Sequence, residues 1–176
     1  MDDDVIRIPL LARDGSVRAW AIVDREDGDL AEWRWSLDTD GYAMRMERGR
    51  NTQSGFARVT LHRVILSRAT GRVLSGDEHC DHSNMDKLDD RRANLRVATR
   101  GQNAANRKGR GASPYLGVHR QGAKWQARIS PIGSRRKYFN LGAFADEADA
   151  ARAYDRAARE HHGEYARLNF PDGGDA

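Results

Sequence analysis

The 176-residue chain is 39% hydrophobic and 32% charged, with a mean hydropathy of −0.82, which fits a polar protein of one ordinary domain or two small ones. No apolar run reaches the length that spans a bilayer, the first residues (MDDDVIRIPL) are acidic and unlike a secretory signal, and the one cysteine, Cys80, excludes an internal disulfide and any multi-cysteine zinc site. Net charge is only +4, yet thirteen of the 30 Lys and Arg fall between Arg91 and Ala145, a span with no Asp or Glu, and the rest of the chain carries a net −9. A split this sharp points to a polyanionic partner for the basic segment rather than to a solvated basic face.

Residues 1–60 read as short strands and turns. RIPLLARDGSVRAWAIVD holds two apolar runs around an Asp14-Gly15 turn, a hairpin signal. GYAMRM alternates cleanly and FARVTL less so, while Trp33 and Trp35 are expected to pack in a core or sheet. LHRVILSRATG (61–71) predicts a short amphipathic helix stopped by Gly71. The polar stretch CDHSNMDKLDDRRANLRVATRGQN (80–103) follows, then RKGRGASP (107–114), whose composition marks a linker. Beyond it stand three strand-like runs, YLGVHR, KWQARI and RKYFNL, with turns at Gln121-Gly122 and Pro131 to Ser134. DEADAARAYDRAAREHHG then predicts a helix with Asp146 as N-cap, acids in its first turn and Gly163 at its stop.

The 80–103 stretch carries the chemistry. A strand ending at Asp81-His82, a returning strand LRVAT (95–99), and a helix opened by the Thr99-x-x-Gln102 capping box would bring Asp81, His82 and Asn103 together. Phosphodiester hydrolysis needs a nucleophilic water, stabilisation of the charge on phosphorus, and help for the leaving 3′ oxygen. A neutral imidazole can deprotonate water at cellular pH, so His82 is the candidate general base. Asp81 and Asn103 supply the carboxylate and amide oxygens that suit Mg²⁺. Asn94 is expected to bridge backbone groups of the loop and hold His82. His62 and His79 are read as structural or phosphate-contacting. A zinc site from His79, Cys80 and His82 lacks a fourth ligand, and alternate strand residues diverge. Cys80 is read as a small buried hydrophobe, and Arg91, Arg92 and Arg96 as phosphate contacts.

Asp-His, twelve residues to an Asn, NLR, then T-x-x-QN resembles the HNH nuclease motif in the variant whose last His is Asn. It is similar to the branch found in phage and intron homing endonucleases, and with VDREDGDLAEWRWSLDTDGYAMRM and LHRVIL the resemblance runs over most of residues 5–107. It implies a ββα-metal fold with His82 as general base, Asp81 and Asn103 as ligands to Mg²⁺ or another divalent ion such as Mn²⁺, and Asn94 as the loop-orienting residue. Met85 stands where that pattern has Gly, and Asp90 where it has Asn; neither is a presumed ligand.

In the C-terminal run, strand alternation turns Trp125, Ala127, Ile129, Phe139 and Leu141 toward the helix, leaving Lys124, Gln126, Arg128, Arg136, Tyr138 and Asn140 outward. Such a basic, amide-bearing sheet can enter a major groove and read base edges. SPYLGVHRQGAKWQARI, LGAFADEADAARAYDRAAREHHG and LNFP resemble the Apetala-two/ethylene-response-factor (AP2/ERF) DNA-binding domain over roughly residues 113–171, which implies DNA reading by the sheet. His119 falls where that family commonly has a contacting Arg, Arg128 where plant members carry Glu, and Asn140 where Trp is frequent, so the plant family's preferred sequence does not carry over. Arg107, Lys108 and Arg120 complete the expected DNA contacts.

The expected protein is thus α+β: a β-rich region (1–60), a ββα-metal nuclease motif (61–110), and a three-stranded antiparallel sheet plus one helix (113–171). The expected function is a site-selective, homing-type DNA endonuclease. It would use one divalent metal, be guided to double-stranded DNA by its C-terminal module, and leave 5′-phosphate and 3′-hydroxyl ends. Expected context is cytoplasmic, in a bacterium or encoded by a phage or mobile element, with no membrane partner and a monomer favoured. The alternative is a catalytically inactive, sequence-specific DNA-binding regulator. An RNA-binding accessory protein is the third reading, and it lacks the usual exposed pair of stacking aromatics.

Overall fold

A computed structural model describes residues 4–49, 55–106, 113–133 and 138–171 of the chain. The fold is mixed α/β, with several small sheets and few helices, and it divides into two compact units, Met1–Val97 and Ala98–Ala176. Among the described residues no helix is long and apolar enough to cross a membrane.

In the first unit, β1 (Val5–Leu11) and β2 (Val17–Asp24) form the antiparallel hairpin expected around Asp14. Asp14 Oδ1 accepts from both the backbone N–H and the hydroxyl of Ser16, and this holds its carboxyl below the usual range. Alternation buries Ile8, Leu10, Ala21 and Val23 on one face. A 3-10 segment (Arg25–Glu32) leads to β3 (Ser36–Leu37), which joins β4 (Ala43–Arg48) and β5 (Phe56–Thr60) in a second sheet. Trp35 is fully buried, with its indole N–H donating to the Leu30 carbonyl at 2.7 Å. Trp33, expected beside it, is 53% exposed, and the Arg45 guanidinium stacks 4.0 Å above its ring.

The helix α1 (Leu61–Thr70) ends at Gly71, whose φ of +66° and N–H bond to the Arg68 carbonyl close the last turn. Its buried face, Leu61, Ile65 and Leu66, belongs to the same core as Ile8, Leu10, Val23, Trp35, Leu74 and Leu95, so residues on both sides of position 60 share one interior. β6 (His79–His82) and β7 (Leu95–Ala98) form a two-stranded sheet. Cys80 is partly buried against this core, and desolvation pushes its thiol up to about 11.

In the second unit, α2 (Arg100–Ala105) opens with the expected capping box: Thr99 Oγ1 accepts from Gln102 N–H, and Gln102 Oε1 from Thr99 N–H. Three antiparallel strands follow in the order β10-β9-β8: β8 (Val118–Gln121), β9 (Lys124–Ile129) and β10 (Phe139–Phe144). α3 (Glu147–His162) is capped by Asp146, whose Oδ1 accepts from Ala148 and Asp149 N–H. Small residues let it lie close to the sheet: Ala150, Ala151 and Ala158 are fully buried. Gly117, at φ +69°, takes this closeness furthest, since a Cβ there would sit 2.0 Å from the Tyr154 ring and 2.6 Å from the Arg128 carbonyl. The LNFP tail is tied down by Asp155, which accepts from the N–H groups of Asn169 and Phe170, each at 2.8 Å.

Candidate functional site

Two anchors fix the loop that follows β6. Upstream, Arg63 on α1 donates to the carbonyls of Leu74 and Glu78, each at 2.8 Å, fastening the approach to the strand. Downstream, β2 grips the loop through Ile22 N–H to Leu88 O (2.7 Å) and Asp90 N–H to Ile22 O (2.8 Å), and Asp24 accepts from Arg92 N–H. Between them, Asn94 is buried and bridges the loop: its Oδ1 accepts from Asn84 N–H at 3.0 Å, and its Nδ2 donates to Asp89 O at 2.7 Å. Its carbonyl also accepts from Ser83 N–H, next to His82. Met85 adopts φ +63°, the left-handed conformation that explains Gly at this place in the family pattern.

Asp81 and His82 are both buried at the end of β6, and they face different partners. Asp81 Oδ2 accepts from Arg96 Nε at 2.8 Å and Nη2 at 2.6 Å. His82 Nε2 lies 3.0 Å from Oδ1 of Asp90, which is completely buried. Burial pushes the Asp90 carboxyl up, against the stabilising hydrogen bond from His82. His62, in the first turn of α1, meets the His82 ring edge-on at 5.3 Å, and Tyr42 packs against both rings. Desolvation holds the His62 imidazole down, to about 3, so it is neutral. One ligand atom from each of His62, His82 and Asp90 falls within 4.8 Å of the others, which makes these three a candidate cation cluster.

Of the residues expected to act together, His82, Asp81 and Asn94 stand in the first unit. Asn103 sits in α2 of the second, where its N–H donates to Thr99 O. His62 and Asp90 were not among the expected site residues. Asp90 stands out in sequence only as a departure from the family pattern, and His62 lies twenty residues upstream on another element. The three arginines expected on phosphates each have a carboxylate of their own. Arg91 is paired with Asp89 (2.7 Å), Arg92 with buried Asp27 (2.7 Å) and Glu26 (2.7 Å), and Arg96 with Asp81. Asp27 lies 65 residues from Arg92, on a segment that the fold brings alongside and that sequence spacing does not reveal, whereas Asp89 stands two residues from Arg91 in the same loop.

On the second unit's sheet, His119, Lys124, Arg128 and Asn140 are exposed, and the register puts Asn140 opposite Arg128. Gln126, expected to face outward, is only 6% exposed: it sits on the middle strand between its cross-strand neighbours His119 and Ala143. Arg120 is opposite Trp125, so the pleat turns it to the helix-side edge, where its guanidinium lies 4.8 Å from the indole centre. Asn140 Oδ1 accepts from Gly142 N–H across a bulge that shifts the β10 register, and Tyr138, just before that strand, is 72% exposed. Arg107, Lys108 and Arg136 lie outside the described residues.

The HNH endonuclease family model matches residues 59–105, which contain His62, the β6–β7 hairpin and α2. Over 171 residues, 97% of this chain and 84% of the relative, the chain is 27% identical to the uncharacterized HNH endonuclease L560 of Acanthamoeba polyphaga mimivirus. Two plant relatives from Arabidopsis thaliana are similar over shorter stretches. Dehydration-responsive element-binding protein 2E is 41% identical over 90 residues, which is 44% of this chain and 37% of that protein. AP2-like ethylene-responsive transcription factor AIL7 is 48% identical over 63 residues, 35% of this chain and 12% of that one. The chain therefore spans well under half the length of these plant relatives. The loop of Asp81, His82 and Asn94 lies inside the segment that matches the HNH endonuclease family model, and the C-terminal region of the same chain is similar in part to AP2/ERF-like proteins.

Proposed function

We propose that the protein is a site-selective DNA endonuclease of the homing type, in which a metal-dependent HNH domain cuts and the AP2/ERF-like sheet holds duplex DNA. The observation that carries this reading is the buried His82, fixed at the end of β6 by a loop that Asn94 locks and Asp90 contacts at 3.0 Å, all within the HNH match.

Asp90 accepting from His82 Nε2–H sets the tautomer that leaves Nδ1 as the basic nitrogen. His82 Nδ1 takes a proton from water, the hydroxide forms a bond to phosphorus, and the P–O3′ bond breaks as the 3′ oxygen takes a proton from solvent and leaves as a hydroxyl. Asp81 offers a hard oxygen donor of the kind Mg²⁺ prefers, and a bound ion would supply stabilisation of the charge on the phosphoryl oxygens. Arg96 neutralises the Asp81 carboxylate, so its guanidinium is positioned to exchange that carboxylate for a phosphate oxygen. Across the second unit, Lys124 and Arg128 add favourable phosphate and base-edge contacts, and tethering raises the local concentration of DNA at the weaker cutting site.

A non-cutting regulator is the second reading, and the Arg96–Asp81 pair is what favours it, because that carboxylate already has a cationic partner. Incubating supercoiled plasmid with the full chain in Mg²⁺ and in EDTA, then sequencing the cut ends, separates the two. The endonuclease yields Mg²⁺-dependent nicks with 5′-phosphates. The regulator shifts the plasmid's mobility and leaves it intact.

A further inference from the structure

The cluster of His62, His82 and Asp90 is chemically unlike an Mg²⁺ site built on the Asp81 carboxylate. It offers two imidazoles and one carboxylate, drawn from α1, the end of β6, and the loop that β2 grips. Imidazole nitrogen favours zinc-class ions, whereas Mg²⁺ favours an all-oxygen shell.

The interior of this cluster lacks something to bind. His62 Nδ1 and Asp90 Oδ2 are both buried with no hydrogen-bond partner, two of the few such atoms among the described residues. An orphaned buried polar atom costs free energy, and here two of them belong to one three-residue group. The opposite nitrogen of His62 is engaged by Thr60 Oγ1 at 3.1 Å, the arrangement by which an outer hydroxyl orients a metal-binding imidazole. Tyr42 packs against both rings. The ligand atoms already lie within 4.8 Å of one another, and Asp90 Oδ1 is 3.0 Å from His82 Nε2. Tetrahedral zinc with bonds near 2.0–2.1 Å spaces its ligands by about 3.3 Å, so small side-chain rotations suffice.

We propose that His62, His82 and Asp90 form a second cation site, selective for zinc-class ions over Mg²⁺, with one coordination position left for water. It shares His82, and the Asp90 that orients it, with the proposed catalytic machinery. Occupation by zinc takes the His82 ring out of its general-base role, so zinc binding and cleavage exclude one another. Asp90, which stands where the resembled pattern has Asn, gives the site its carboxylate; Asn there would contribute a neutral amide.

Cobalt(II), a visible stand-in for zinc, tests this on the full chain in excess Mg²⁺. Wild type is expected to bind one equivalent with the intense visible bands of four-coordinate cobalt, and Zn²⁺ to bleach them. His62→Gln and Asp90→Asn are expected to weaken cobalt binding at least tenfold each, and Asp81→Asn to leave it within threefold. Zn²⁺ is also expected to raise the melting temperature of wild type, a readout that needs no variant. Absence of the bands, absence of a melting shift, bands that survive both His62→Gln and Asp90→Asn, or bands lost in Asp81→Asn would each overturn the site. Mg²⁺-dependent plasmid nicking is measured alongside. Nicking without cobalt binding removes this inference alone, and cobalt binding without nicking removes the endonuclease reading alone.

Discussion

Asn94 engages both ends of its amide inside one loop, accepting from Asn84 N–H and donating to the Asp89 carbonyl. Asn94→Ala strands those two backbone groups, at a cost of roughly 1–3 kcal/mol for a buried unsatisfied group, and a lowered urea midpoint with unchanged slope would register it. Met85 makes the opposite case. Its φ of +63° is unfavourable for any residue with a Cβ, so Met85→Gly should leave stability unchanged or raise it by up to about 1 kcal/mol; a loss larger than that would count against strain at this position. Glu78 supplies a pH signature. Its carboxylate accepts from Arg72 and from Ser75 N–H, which lowers its pKa from 4.5 to about 2. The folded state therefore binds fewer protons than the unfolded one in that window, and the contribution is complete above about pH 4.5 and lost as pH falls toward 2. Glu78→Gln should flatten the acid limb of a stability–pH profile there, and an unaltered limb would contradict the pairing. At this scale the sequence spacing revealed Asn94's place in the loop, because a bridging Asn needs only local geometry. The pair Arg92–Asp27 was not legible because it joins residues 65 apart, and His82–Asp90, eight apart, because it depends on the path of the irregular loop between them.

Elements with strong local signals formed where periodicity and caps placed them. α1 stops at Gly71, α2 starts at its capping box and α3 at Asp146, each set by backbone groups within a few residues. β10 was harder: the predicted run RKYFNL begins before the observed strand, and the bulge between Asn140 and Gly142 shifts its register. Simple alternation cannot foresee an extra residue in one strand. Gln126 shows the same limit, since a residue on the outer face of a middle strand can be enclosed by its neighbours. The helix-to-sheet contact in the second unit depends most on Gly117. Gly117→Ala puts a methyl group into the Tyr154 ring and a side chain at positive φ, so it should lower that unit's melting temperature by at least 10 °C or prevent its folding. A shift of a degree or two would show that α3 is not held against the sheet there.

At the scale of the whole molecule, the charge split between an acidic remainder and an acid-free basic span remains the broadest clue to a nucleic-acid partner. The structure adds that several arginines within that span are internally paired, while Lys124 and Arg128 are exposed and are the proposed phosphate contacts. Replacing either with Ala should reduce the slope of log affinity against log salt by about 1 for duplex DNA. An unchanged slope would move the DNA surface elsewhere. The central claim is that His82 activates the water that cuts DNA, and single-turnover nicking of a supercoiled plasmid in Mg²⁺ tests it most directly. Wild type should nick, and His82→Ala, equally folded and equally bound to DNA, should do so at least about a hundredfold more slowly. Equal rates for the two proteins would contradict the account.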